Sequence, residues 1–231
     1  MRTDRLVAAT GAIYVALLMV GSGLATGNGD PQDGPTILAH LRHGRTLTET
    51  VGVTMEVLGF AVFLVFLGYL YRVLRRAEGA EGWGAAVALG AGLVTTAVKL
   101  AAATAMLASK AHPDQLTPDL ARVLNDIGGG GFVISGYLYG IFVVAAAGSA
   151  FVSRALPRWL TISGLVAGAL TVAAGTAGIL DPIGYVPVPF LLCLVWVLMT
   201  SILLAARGQR PVDAAPDRSV DAVPAGASAT A

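Results

Sequence analysis

The sequence predicts an all-α fold, a polytopic transmembrane bundle of six helices, and three observations carry that prediction. Of 231 residues, 55% are apolar and only 13% are charged, where soluble domains carry about 25% charged residues. The mean hydropathy is +0.74. The apolar residues fall into runs of about 20, the length a helix needs to cross a bilayer core at about 1.5 Å per residue. A very apolar soluble helical protein would have no reason to repeat that length along the whole chain.

The first run, 6–24, follows Arg2 and Arg5 and ends in small residues near Ala25. A basic start, an apolar middle and a small-residue end also describe a secretory signal. Tyr14 and the glycines suit a packed span instead. Gly27 to Gly44 is a polar connection rich in Gly, Asn, Asp and Pro, which is turn chemistry. Within it the segment from Thr36 to His43 reads as a short surface helix. The second span, 51–74, carries Glu49 and Glu56 at one end and stops at Arg72, Arg75 and Arg76. A tight loop, Ala77 to Gly82, leads to the third span, 83–107. Thr117-Pro118-Asp119 then opens a short helix, with threonine as N-cap and proline at N1. The run Gly128 to Gly131 is expected to end it and to act as a flexible break before the fourth span, 132–152. The fifth span is 160–180, a turn follows at Asp181-Pro182-Ile183-Gly184, and the sixth span is 186–206. Residues 1–206 thus form the transmembrane domain. Residues 207–231, rich in Ala, Pro, Ser and Asp without apolar periodicity, read as a disordered cytoplasmic tail.

Basic residues in short loops set the orientation. One side holds Arg2 and Arg5, the Arg72-Arg75-Arg76 cluster, Arg154 and Arg158, and Arg207, Arg210 and Arg218; the other holds only Arg42, Arg45, Lys110 and Arg122. The first side is therefore cytoplasmic, with both termini in it, and the membrane is the bacterial cytoplasmic (inner) membrane. Trp83, Trp159, Tyr69 and Tyr71 at inner boundaries, and Tyr185 at an outer one, fit an aromatic belt.

Several functional classes are disfavoured. A net charge of +1 without a large basic cluster argues against nucleic acid as a partner. Cys193 is the sole cysteine, so no internal disulfide forms. No cofactor signature is present: the glycine run lacks a following Lys-Ser/Thr, and GxSxG and HExxH are missing. His40, His43 and His112 lie in outer connections near Glu49 and Asp114, a set that could hold zinc; without a motif they read as solvated histidines, and no metal is expected.

Ionisable side chains inside a span cost at least about 2.5–3.5 kcal/mol each near the bilayer centre, so they seek partners or water. Two stand inside spans, Glu56 on the second and Lys99 on the third. Antiparallel neighbours joined by a six-residue loop would hold them at similar depth, which predicts an ion pair. Glu49 shares the face of Glu56, and Thr95 that of Lys99 (i, i+4). Tyr137 on the fourth span and Asp181 at the end of the fifth lie in the same outer half. Together these six residues outline an outward-facing polar pocket. The competing reading is a structural pair that sets helix register, with Asp181 a turn former at a helix end. Gly136–Gly140 and Gly164–Gly168 are GxxxG patterns, suited to packing within one chain or to pairing into a homo-oligomer.

Four stretches carry a resemblance: Ala39-His-Leu-Arg-His-Gly-Arg45, Phe66-Leu-Gly-Tyr-Leu-Tyr-Arg-Val-Leu-Arg-Arg-Ala-Glu-Gly79, Leu124-Asn-Asp-Ile-Gly128 and Ala155-Leu-Pro-Arg-Trp-Leu160. With them the chain resembles a group of uncharacterised actinobacterial integral membrane proteins, and more distantly it is similar to a domain-of-unknown-function family of six-helix bacterial membrane proteins. The resemblance implies no activity and assigns no site residue. The sequence thus points to an integral membrane protein whose partner is the lipid bilayer, binding a small or lipidic ligand or a membrane partner through the outward pocket. The alternatives are a membrane transporter, or an intramembrane enzyme (a cyclase or isomerase of an apolar substrate) using Glu56 or Asp181 as acid.

Overall fold

The computed structural model describes residues 2–25, 33–44, 46–79, 82–181 and 186–207. The expected tail beyond residue 207, the turn after Asp181 and the belt residue Tyr185 lie outside them, as does part of the connection after Gly27. Among the described residues seven α-helices follow in order: α1 (Arg2–Ala25), α2 (Gly34–Arg42), α3 (Leu47–Glu78), α4 (Gly84–Ala111), α5 (Pro118–Ser153), α6 (Arg158–Leu180) and α7 (Val188–Arg207). All but α2 are long and apolar enough to cross a membrane, so the protein is a multi-pass helical bundle. Among the described residues there is no strand.

Side-chain caps start three of these helices. Thr46 Oγ1 accepts from the Glu49 amide at 3.2 Å, and Thr117 Oγ1 from the Leu120 amide at 3.3 Å, ahead of Pro118 at the first helical position. Asp33 caps the short α2: its Oδ2 accepts from the Thr36 hydroxyl at 2.8 Å and from the Thr36 amide at 3.1 Å. Those two bonds, the hydroxyl first, hold the Asp33 carboxyl below its ordinary range. A lowered carboxyl contributes stability above its unfolded value and loses it only as pH falls through the lowered one, so the cap is complete at neutral pH.

The glycine run does not break the chain. Gly128 to Gly131 lie inside α5, which runs unbroken for 36 residues, about 54 Å and well beyond a hydrocarbon core of about 30 Å. A glycine costs a helix only about 1 kcal/mol relative to alanine, and helix on both sides, with packing against α4, offsets four of them. The four positions are not equivalent. A methyl on Gly130 meets nothing within 4 Å, whereas one on Gly131 would strike Ala102 of α4. Gly130→Ala is therefore expected to stabilise by about 0.5–1 kcal/mol, and Gly131→Ala to lose that gain to the clash. Thermal unfolding of the two variants side by side checks this.

The helices sort into two groups, α1/α3/α7 and α4/α5/α6, each packed closely within itself and touching the other along a lighter seam. Aromatic rings fill the centre. Tyr14 stacks on Phe63 with centroids 4.4 Å apart, and Phe63 meets Phe142 edge-on at 5.6 Å. Some buried polar groups tie one helix to another: Ser201 on α7 donates to the Ala8 carbonyl and accepts from the Ala12 amide of α1, and Trp196 Nε1 on α7 donates to the Leu160 carbonyl of α6. Cys193 is buried beside the Thr171 hydroxyl. The outer surface, by contrast, exposes large apolar side chains such as Leu58, Val65, Val166 and Ile202, as a surface solvated by lipid does. Trp83 and Trp159 are exposed and suit the belt read from the sequence; Tyr69 is buried, with the Arg72 guanidinium over its ring, and does not.

Candidate functional site

The seam holds a cavity of about 790 Å³, walled by α1, α3, α4, α5 and α7 and roofed by α2. Its polar groups stand in two tiers. In the outer tier Glu49, 8% exposed, lies between Lys110 Nζ and His40 Nε2, each 3.7 Å from one of its carboxylate oxygens. In the inner tier Ser22 donates to Glu56 Oε1 at 2.5 Å, and Lys99 Nζ lies 4.0 Å from the centre of the Phe132 ring. Below both, Leu18, Phe60, Phe190 and Leu194 make an apolar floor. A carboxylate held by a hydroxyl and an ammonium resting on an aromatic face are each partly compensated.

The ion pair expected between Glu56 and Lys99 is not formed. Among the described residues no carboxylate–ammonium contact within 4.0 Å joins them, although they line one cavity. Helix register explains why. Glu49 and Lys110 are in contact, which aligns α3 and α4. Glu56 then lies seven residues deeper, about 10 Å, and Lys99 eleven residues deeper, about 16 Å. The offset of about 6 Å leaves each to its own neighbour. Equal depth was the wrong premise, because α4 continues to Ala111 and its outer end lies farther out than the sequence suggests.

Of the six residues expected at the pocket, Glu49, Glu56 and Lys99 line it and three do not. Thr95 is buried one turn below Lys99 but does not reach the cavity. Tyr137 sits on the other side of α5, where its backbone and Cβ meet Gly175 of α6. Asp181 ends α6, its amide donating to the Ala177 carbonyl at 2.8 Å, and it does not line the cavity. Sequence reasoning missed Ser22, His40 and Lys110 as pocket residues. Lys110 had a signal: eleven residues is close to three full turns, so Lys99 and Lys110 share a face of α4 just as Glu49 and Glu56 share one of α3. His43 Nδ1 bonds the Ala39 carbonyl in the last turn of α2, and among the described residues no three His, Cys, Asp or Glu side chains come together as a metal site would need.

A family model described as a domain of unknown function, DUF4386, matches residues 7–208. The chain belongs to the DUF4386 family. The match covers all six spanning helices almost from end to end, in keeping with the resemblance carried by the four stretches around the second, fourth and fifth spans. Neither a curated protein nor a solved structure matches the chain. Membership in DUF4386 therefore supports an integral membrane protein and brings no activity with it.

Proposed function

We propose that this DUF4386 protein binds a small amphiphilic or lipidic ligand in the seam cavity, reached from the outer face, and does not transform it. One observation carries the reading: a cavity of about 790 Å³ whose charged groups sit toward one end and whose other end is apolar. That volume is in the range of drug-sized ligand sites, about 300–1,000 Å³. The polarity gradient matches an outer-leaflet amphiphile, head outward and tail toward the midplane. Orientation follows the arginines, with α1 beginning and α7 ending on the cytoplasmic side of a bacterial inner membrane.

The seam between two helix groups is the feature that favours the rival reading, movement of the ligand across the membrane. Such carriers hold their substrates on interrupted helices near the midplane, however, and among the described residues no helix lining this cavity is interrupted within its length. An acid role is left to Glu56, since Asp181 is away from the cavity.

The test fills the cavity. A methyl on Gly128, which lines the site, meets only Met106 Cγ at 3.9 Å, so Gly128→Phe places a ring in the cavity without a clash at its base. Native mass spectrometry of protein purified in a mild detergent is expected to show a bound amphiphile on the wild type. Occupancy should fall at least about tenfold in Gly128→Phe, the effect of about 1.4 kcal/mol. Equal occupancy in a folded Gly128→Phe protein would falsify the reading.

A further inference from the structure

We infer that the ligand is a single-chain amphiphile whose head carries both an anion and an ammonium, as a lysophosphatidylethanolamine does. The inference rests on the binding reading above and adds the chemistry of the head and the number of tails.

Charge comes first. In the inner tier Lys99 has no carboxylate within 4.0 Å and Glu56 has no cationic nitrogen within 4.0 Å among the described residues. Both line the same cavity. Two opposite charges facing one space without touching are best satisfied by a group that presents the complementary pair. An anionic head would meet Lys99 but be repelled by Glu56; a cationic head would meet Glu56 and be repelled by Lys99. A zwitterion lays its anion on Lys99 and its ammonium on Glu56, and leaves neither wall charge opposed. The outer tier adds no net bias of its own, because Glu49 is already shared by Lys110 and His40.

Volume sets the number of tails. A cavity of about 790 Å³ lies within the range of sites that take one drug-sized ligand, about 300–1,000 Å³, the size class of a single chain with a small head. The floor of Phe60, Phe190 and Leu194 supplies the surface on which that chain lies.

The test is native mass spectrometry of the full chain in a non-ionic detergent, titrated with three single-chain probes: lysophosphatidylethanolamine, palmitate and dodecyltrimethylammonium. Wild type is expected to bind the zwitterion at least tenfold more tightly than either ion. Glu56→Gln should shift the preference toward palmitate, and Lys99→Met toward the cation. A purely structural role for either residue would lower the affinity for all three probes alike and leave their order unchanged. Palmitate or the cation binding wild type as tightly as the zwitterion overturns the head assignment while the cavity reading stands; the wild-type panel alone decides this if a variant does not fold. Binding of none of the probes overturns this inference, and the Gly128→Phe comparison then decides the parent reading separately.

Discussion

Replacing Gly168 by leucine is expected to cost about 3 kcal/mol or more, because no space exists at that position for any side chain. A Cβ on Gly168 would lie 2.9 Å from the Gly140 carbonyl oxygen and 2.9 Å from the Val144 amide nitrogen. The arrangement is reciprocal: a Cβ on Gly140 meets the Gly168 carbonyl oxygen and the Val172 amide nitrogen, each at 2.9 Å. The two GxxxG patterns thus each contribute one glycine to a crossing where α5 and α6 touch backbone to backbone. Backbones cannot give way as a flexible side chain can, so leucine must push the helices apart along the crossing. In lipid this is serious, since helix association rests on close packing rather than on expulsion of water. A loss of about 3 kcal/mol lowers the unfolding midpoint by about 6–12 °C for a domain of this size. Gly90→Leu is the control. A methyl there meets nothing within 4 Å, and the same change of residue should leave the midpoint within about 2 °C or raise it. Thermal unfolding in detergent, followed by size-exclusion recovery, measures both. Equal midpoints for the two variants would mean that the α5–α6 crossing does not hold the bundle together.

The same crossing shows what could be read in advance. Glycines spaced by four in an apolar run announce a close approach, whatever helix lies opposite. Which helix it is depends on the packing of six elements, and spacing along one of them does not encode that. The six spans were legible because hydrocarbon allows a backbone to satisfy itself in so few ways. The glycine run was misread for a related reason. Four glycines in water favour a break, but in a helix flanked on both sides and packed against α4 each lost residue of helix also exposes unpaired amides and carbonyls. At the site, the periodicity of α3 correctly placed Glu49 and Glu56 on one face. The depth of Lys99 relative to them was not legible, because it depends on where α4 ends, and Ser109 and Lys110, with His112-Pro113 just beyond, look polar enough to be loop. Tyr137 and Asp181 share only their outer half with the cavity, and position along a helix says nothing about which way a residue points across the bundle.

Glu49→Lys is expected to have the other large effect, through the outer tier. Glu49 is 8% exposed, and the Lys110 side chain 18%. Removing one partner of a pair buried to this degree costs about 3–5 kcal/mol, mostly from the charge left behind. Reversing Glu49 also sets a second ammonium beside the first. His40 changes this little, since its side chain is half exposed and solvent screens it. The consequence should reach the roof. α2 is held from below by Ile37, Leu38 and Leu41 packed on Ala121 of α5, and His40 on its edge faces the same carboxylate. A cation in place of Glu49 repels Lys110 and no longer attracts His40. Cysteine placed at Ile37, which is 5% exposed, reports on this directly, because the native Cys193 is buried and adds little background labelling. Ile37→Cys should react slowly with a maleimide in the otherwise unchanged protein and at least about tenfold faster with Glu49→Lys added, the ratio that 1.4 kcal/mol of roof opening produces. The charge swap Glu49→Lys with Lys110→Glu restores opposite signs at the same two positions. It should recover part of both the stability and the slow labelling, with a coupling of about 1–3 kcal/mol. Fast labelling that the swap leaves untouched would show that Glu49 acts on the roof through its shape or its contact with His40. The outer tier would then not be a clasp formed by opposite charges on α3 and α4.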